Sequence, residues 1–158
     1  MPVSYYILFA GIFLVLLAAV PYVVYLFGVT FGKKIEPINL DSKTELPNIS
    51  IVVCAYNEER TITDKIKSIS NCTYPKDKIE FILVVDCADD NTVSVAQDAL
   101  NNVKFKWIIH ENEKRSGKNG SFNNGMKIAS NNIIIDSDAD VEWEKNSIEL
   151  LVRRLIQD

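Results

Sequence analysis

Three aspartates recur at alternate positions, Asp136, Asp138 and Asp140, directly after the run Ile133-Ile134-Ile135. Carboxylates this close repel one another unless a cation sits among them, and an all-oxygen donor set suits a hard divalent ion. The same Asp-x-Asp-x-Asp spacing opens an EF-hand loop, so a calcium-responsive module is a rival from another functional class. That loop needs Gly at its sixth place and Glu at its twelfth, where this chain has Val141 and Ser147, and the residues before it read as a strand. The plain alternative is an exposed acidic turn.

A second group is made of glycines. Gly117, Gly120 and Gly125 are the only glycines after residue 32, and they open a helical segment flanked by Arg115 and Lys118. Glycines before a helix let backbone amides approach an anion such as a phosphate, and the two cations add to that attraction. Close packing with helix capping explains the same residues without a ligand. A Walker A loop is excluded, because Asn112 stands where its first Gly belongs and Asn119 where Ser or Thr must hold magnesium. A dinucleotide fingerprint is excluded too, since Ala55-Tyr56-Asn57-Glu58-Glu59 contains no glycine.

The third group is Asp86, Asp89 and Asp90, before Thr92. Capping of the next helix by Asp90 or Asn91 accounts for part of it, but not for Asp86. The single histidine, His110, has no Ser-His-Asp or Cys-His setting, and Trp107 and Trp143 read as packing or surface residues.

These groups need elements to position them. Ile49 to Ala55 is an uncharged β-branched run, expected of a strand buried on both faces. Ile62, Ile66 and Ile69 then recur at helical spacing, with Lys65 and Lys67 assigned to the solvent side, and this helix ends before Pro75. Ile79 to Asp86 is a second strand, Val93 to Leu100 a helix, Lys104 to His110 a third strand, Ser116 to Ala129 a helix and Asn132 to Ile135 a fourth strand. Ile148, Leu151, Val152, Leu155 and Ile156 form a closing helical stripe. The alternation predicts an α/β fold with a mainly parallel sheet and helices on both faces. Ligands in such sheets bind beyond the carboxyl ends of the strands, where all three chemical groups fall.

Residues 1 to 32 carry no Asp, Glu, Lys or Arg. Ser4 to Phe31 is longer than the roughly 20 apolar residues that span a bilayer, so residues 4–31 are expected to form one transmembrane helix. Tyr5, Tyr6, Tyr22, Tyr25 and Phe31 suit its interfaces, and Pro21 suits a kink. A cleaved signal peptide fits less well, for want of a basic start and a shorter apolar core. Lys33 and Lys34 follow the span and nothing basic precedes it, which predicts a single-pass protein with its soluble part in the cytoplasm. Residues 32–47 read as a linker and 48–158 as the folded domain. The formal net charge of -4 argues against nucleic-acid binding by bulk charge. Cys54, Cys72 and Cys87 lack zinc or redox spacing and fit a reducing compartment.

Taken in order, the strand ends resemble the family 2 glycosyltransferases of GT-A fold, and the preceding span resembles the membrane-anchored polysaccharide synthases among them. Ile51 to Glu59 is similar to the family's opening strand and Tyr-Asn-Glu-Glu turn. Asp86 to Thr92 stands where the family has Asp-Gly-Ser-Thr-Asp-Gly-Thr; Gly117-Lys118, Asn123 and Gly125 resemble its Gly-Lys, Asn, Gly segment; and Asp138-Ala139-Asp140 resembles its Asp-x-Asp metal motif. In two departures, Cys54 replaces the usual proline and Cys87-Ala88-Asp89 replaces Gly-Ser-Thr.

The resemblance implies a Rossmann-like GT-A half-domain that binds a nucleotide-diphosphate sugar, a UDP-sugar first among them, with Mg²⁺ or Mn²⁺ for inverting glycosyl transfer of the hexosyltransferase type. It implies donor contacts from Tyr56, Asn57, Glu58, Asp86, Arg115, Lys118, Asn123 and Asp138. Asp86 would meet the base, Asp138 the nucleotide sugar and Asp140 the metal, with Asp138 beside it. No catalytic residue is expected in this chain: the family's general base lies with the acceptor-binding half, beyond residue 158. Transfer would then need a missing C-terminal part or a second chain. The alternatives are a nucleotide-sugar-binding module without turnover and a truncated relic.

Overall fold

The computed structural model describes residues 2–32 and 45–157. It contains two compact units, an N-terminal helix and an α/β unit. The expected linker falls largely on residues 33–44, and Lys33 and Lys34 with it, outside the described residues.

Helix α1 runs unbroken from Val3 to Phe31, through Pro21. Within its stretch Ser4–Phe31 the most apolar window of 18 residues has a mean hydropathy of 2.7, and none of that window is buried within the protein. A helix of this length rises about 1.5 Å per residue, more than the roughly 30 Å of a bilayer's hydrocarbon core. Near its end Thr30 Oγ1 donates to the Leu26 carbonyl at 2.7 Å, satisfying one backbone acceptor without water.

The α/β unit is a four-stranded parallel sheet: β1 (Ile49–Ala55), β2 (Ile79–Val85), β3 (Lys106–Glu111) and β4 (Ile133–Asp138), in the order β3-β2-β1-β4. The crossovers are α2 (Ile62–Ser70), α3 (Thr92–Leu100) and α4 (Gly117–Ile128), and α5 (Ser147–Gln157) follows β4. β2 is buried along its whole length and β1 at every residue except the half-buried Cys54, as their unbroken apolar sequences require. One face packs the isoleucines of α2, Ala96 and Leu100 of α3, and Ile148 and Val152 of α5 against Ile51, Val53, Phe81 and Leu83. On the other face α4 lays Phe122 and Ile128 against Val52, Ile82 and Val84. It comes so close that a Cβ at Gly125 would collide with Val52 and Val84.

Between β1 and β4 the direction of winding reverses: α2 and α3 lead toward β3 on one face, and α4 returns across the other to β4. This switch point opens a crevice at the carboxyl end of the sheet. The opposite edge is tied by Glu80, buried at the start of β2, which accepts hydrogen bonds from Ser50 Oγ, Lys106 Nζ and the Ser130 amide at 2.7, 2.6 and 2.8 Å. Burial pushes the Glu80 carboxyl up, but Lys106, Ser130 and Ser50 outweigh it and bring it down to about 2.

Three sequence expectations change. Lys65 is fully buried rather than at the solvent side, where Lys67 does lie. Position 65 is three after Ile62 and four before Ile69, so helical geometry turns it inward with them. β4 extends past Ile135 to Asp138, because Asp136, Ser137 and Asp138 continue the pairing with Val52, Val53 and Cys54. In the stripe of α5, Ile148 and Val152 are buried, whereas Leu151, Leu155 and Ile156 are exposed.

Candidate functional site

At the carboxyl end of the sheet a cleft of about 310 Å³ is lined by Tyr56, Glu58, Asp86, Arg115 and Lys118, with Cys54 and Ser121 at its floor. Five of the eight residues expected at a donor site therefore share one cavity. Asp138 joins them through Lys118, whose Nζ donates to Asp138 Oδ1. Asn57 supports the wall from outside, and Asn123 is exposed on α4 and does not line the cleft. A hollow of about 370 Å³ on the β3 side of α4 holds His110, Glu113, Lys114 and Lys127 but neither Asp86 nor the aspartates of the Asp136–Asp140 run.

The turn after β1 makes the first wall. Asn57 adopts φ 57°, a left-handed conformation that Asn tolerates better than most residues. Its Oδ1 accepts the Asp89 amide at 2.8 Å, while the Glu58 amide donates to Thr92 Oγ1 at 2.8 Å and the Glu59 amide to Asp90 Oδ2 at 3.1 Å. These bonds lock the first two strand-end turns together. Asp90 also accepts the Thr92 amide at 3.0 Å, so the expected capping of α3 comes from Asp90. Asn91 is engaged with Glu59 instead. The Tyr56 ring lies under the Arg115 guanidinium, 3.6 Å from its centroid, which fixes a flat aromatic surface at the mouth.

Asp86 builds the second wall. Its Oδ1 accepts from Asn112 Nδ2 and the Ser116 amide at 2.8 Å each and from Ser116 Oγ at 3.1 Å, and its Oδ2 accepts the Gly117 amide at 2.8 Å. Burial raises the carboxyl, but the bonds from Asn112, Ser116 and Gly117 prevail and hold it at about 2, fully ionised at neutral pH. Two amides expected to face an anionic ligand are thus turned onto Asp86, which occupies the positive end of α4. Gly117 takes φ 68°, which brings its amide to Oδ2. Cys87 also sits in the left-handed region, at φ 55°, in the place where the family pattern has glycine. Its Sγ donates to the Asn112 carbonyl at 3.1 Å. Burial pushes the Cys54 thiol up to about 11, with Asp136 adding to it, so it stays protonated and unreactive at the cleft floor.

β4 supplies the third wall. Its period of two puts Asp136 and Asp138 on the exposed α4 side and Ser137 on the buried side. Asp140 is exposed beyond the strand end, and Ala139 between the two carboxylates is buried. Repulsion among the aspartates is relieved by Lys118 at Asp138, and Lys65 approaches from the buried side. Among the described residues no three Asp, Glu, His or Cys side chains converge closely enough to form a complete metal site. Asp138 and Asp140 nevertheless present two hard, exposed oxygen donors one residue apart, which suits a divalent ion completing its shell with ligand oxygens. Sequence reasoning missed Asn112 and Ser116, which hold Asp86, and Ser121, which accepts from Asn112 Nδ2 at 2.9 Å; none of the three has a pattern of its own. It also missed Lys65, whose place in the isoleucine stripe was the available signal.

Residues 50–158 match Glycosyl transferase family 2. The Bacillus subtilis (strain 168) protein named Probable glycosyltransferase YdaM is 32% identical over 131 residues, 82% of this chain and 31% of that protein. The poly-beta-1,6-N-acetyl-D-glucosamine synthase of Staphylococcus epidermidis is 32% identical over 96 residues, 61% of this chain and 22% of that protein. The chain thus spans about a third or less of these curated relatives. Among solved structures, the mannosyltransferase PcManGT from Pyrobaculum calidifontis, in complex with GDP-Man and Mn²⁺, is similar with a TM-score of 0.79 at 26% identity, over 89% of this chain and 42% of that one. Residues 1–349 of Staphylococcus aureus TarS, in complex with UDP, give a TM-score of 0.63 at 25% identity, over 70% of this chain and 32% of that one. With its GT-A-like sheet, its strand-end cleft and a family match running from β1 through α5, the chain belongs to glycosyl transferase family 2.

Proposed function

We propose that this chain supplies the donor-nucleotide half of a membrane-anchored glycosyltransferase that binds a nucleotide-diphosphate sugar and inverts the anomeric carbon. The observation that carries the reading is the cleft at the switch point, in which Tyr56, Glu58, Asp86, Arg115 and Lys118 converge beside Asp138. Oδ1 of Asp86 is saturated by three donors, whereas Oδ2 accepts one and keeps a lone pair for a base N–H. Tyr56 offers an aromatic face near the base, and Arg115 and Lys118 oppose the diphosphate charge. A UDP-sugar is the first candidate, supported by the TarS complex with UDP; the PcManGT complex makes a GDP-sugar the second.

Asp138 and Asp140 would hold Mg²⁺ or Mn²⁺, Asp140 as the principal ligand. When bound, such an ion neutralises charge that gathers on the diphosphate as it leaves. In an inverting transfer an acceptor hydroxyl oxygen bonds to the anomeric carbon, the bond from that carbon to the diphosphate breaks, and the electron pair leaves with the diphosphate. Lys118, released from Asp138, would stabilise that leaving charge, and Arg115 would orient the nucleotide. The acceptor proton needs a general base, which we assign to an acceptor-binding half outside residues 48–158 or to a second chain.

We assign α1 as a single-pass anchor with the α/β unit in the cytoplasm, on the strength of Lys33 and Lys34 after the span. Protease protection of the α/β unit in intact cells, with cleavage after lysis, supports that orientation; cleavage in intact cells refutes it. The functional test is a sugar-transfer assay of the chain co-expressed with a candidate acceptor half. Turnover of a UDP- or GDP-sugar supports the enzyme reading, and donor binding without turnover reduces the chain to a binding module.

A further inference from the structure

Lys65 places an ammonium where the pattern of α2 calls for an apolar side chain. Taking an ammonium out of water is unfavourable unless hydrogen bonds replace its hydration, and a methionine would fill the same space without that cost. The replacements all come from one segment. Lys65 Nζ donates to Ser137 Oγ and, at 2.8 Å, to the Val141 carbonyl, and it lies 4.2 Å from the centre of the Trp143 ring.

Ser137 and Val141 bracket Asp138-Ala139-Asp140. Pairing of β4 with β1 ends at Cys54 and Asp138, so the backbone carrying Asp140 has already left the sheet. Ala139 anchors the middle of the turn in the core, and one nitrogen joins the two ends. The exposed carboxylates lie on the other side of the same backbone. Burial draws the Lys65 ammonium down to about 8, and Asp138 and Asp140 draw it back up, so its charge is coupled to both.

We propose that Lys65 is a positioning residue for the Asp138–Asp140 turn: by joining Ser137 to Val141 through one buried ammonium it sets the placement of the two carboxylates, and so the affinity of the site for a divalent cation together with a nucleoside diphosphate. The proposal rests on the donor-site reading of those two aspartates.

The test is calorimetric titration of the full chain in detergent micelles with UDP and with GDP, in Mn²⁺ and in EDTA, with thermal midpoints measured alongside. The variants are Lys65→Met, Ser137→Ala and Asp140→Ala. Lys65→Met is expected to keep its thermal midpoint and to lose about tenfold or more of its Mn²⁺-dependent affinity, the range typical of residues that orient metal ligands, while its affinity in EDTA is unchanged. Equal affinity in Mn²⁺, or an equal loss in Mn²⁺ and EDTA, overturns the positioning role. Should Lys65→Met fail to fold, Ser137→Ala decides, since it removes one acceptor and leaves the ammonium on Val141: selective loss of Mn²⁺-dependent affinity supports the proposal and unchanged affinity overturns it. If the unaltered chain binds neither nucleotide in Mn²⁺, the donor-site reading falls and takes the proposal with it. If it binds, Asp140→Ala abolishes the metal dependence and Lys65→Met does not weaken it, the positioning role alone falls.

Discussion

Oδ2 of Asp86, at the end of β2, accepts the backbone amide of Gly117 at 2.8 Å, so the first turn of α4 hangs from the strand beside it. The carboxylate that closes one wall of the strand-end cleft is also the cap of the helix that forms the next. Structure and candidate chemistry are joined at this residue.

Asp86→Ala leaves the Ser116 and Gly117 amides without their acceptor, whereas Asn112 Nδ2 keeps Ser116 Oγ and Ser121 Oγ at 2.8 and 2.9 Å. Hydrogen bonds to a charged group count for more than neutral ones, and the variant is expected to lose about 3 kcal/mol of stability. Asp86→Asn, which keeps one acceptor oxygen, should lose about half as much. Urea unfolding of the α/β unit followed by circular dichroism measures both. Equal stability of all three chains would refute the capping role.

Cys87 holds a left-handed conformation in which a Cβ is unfavourable. Cys87→Gly removes that strain at the expense of one thiol hydrogen bond, and is expected to raise stability by about 1 kcal/mol. A higher urea midpoint with an unchanged slope is the expected result. A lower midpoint means that the thiol bond to Asn112 outweighs the strain.

Glu80 and Asp86 predict an acid transition. Both carboxyls are held near 2 in the folded chain, below their ordinary values of 4.5 and 3.8. The unfolded chain takes up protons first as pH falls, so the stability these groups contribute is complete above their ordinary values and is lost as pH drops from about 4.5 toward about 2. Thermal midpoints should fall across that window, and less steeply in Glu80→Gln and Asp86→Asn. Identical slopes in the variants would place the acid sensitivity elsewhere.

Lys118 and Asp138 form an exposed ion pair, and such pairs add little to stability. Lys118→Ala should therefore leave the thermal midpoint where it is while reducing affinity for UDP about tenfold, through loss of a charge-assisted contact to the diphosphate. A fall in midpoint with unchanged affinity would make the pair structural.

Much of this arrangement was legible in the sequence because it follows from periodicity. The β-branched runs of β1 and β2 and the isoleucine stripe of α2 specified the alternating parallel architecture, and the topological rule for ligands pointed to the strand ends. The errors came from tertiary context. Asp136 to Asp138 has the composition of a turn, yet pairing with the already placed β1 extends β4 through it. The charge of Lys65 points it to solvent while its helical position points it inward, and only the facing segment of Ser137, Val141 and Trp143 makes its burial tolerable. The amides of Ser116 and Gly117 suited an anionic ligand, but the anion that meets them is Asp86 from a distant strand, a contact that no local pattern encodes.

The most direct test of the donor-site reading is calorimetric titration of the full chain with UDP and GDP, in Mn²⁺ and in EDTA, for the unaltered chain and for Asp138→Ala and Asp140→Ala. The account predicts that at least one nucleotide binds more tightly in Mn²⁺, and that Asp140→Ala removes this dependence and Asp138→Ala weakens binding, in proteins that unfold at the same temperature as the parent. Binding that is indifferent to Mn²⁺ and to both substitutions would contradict it.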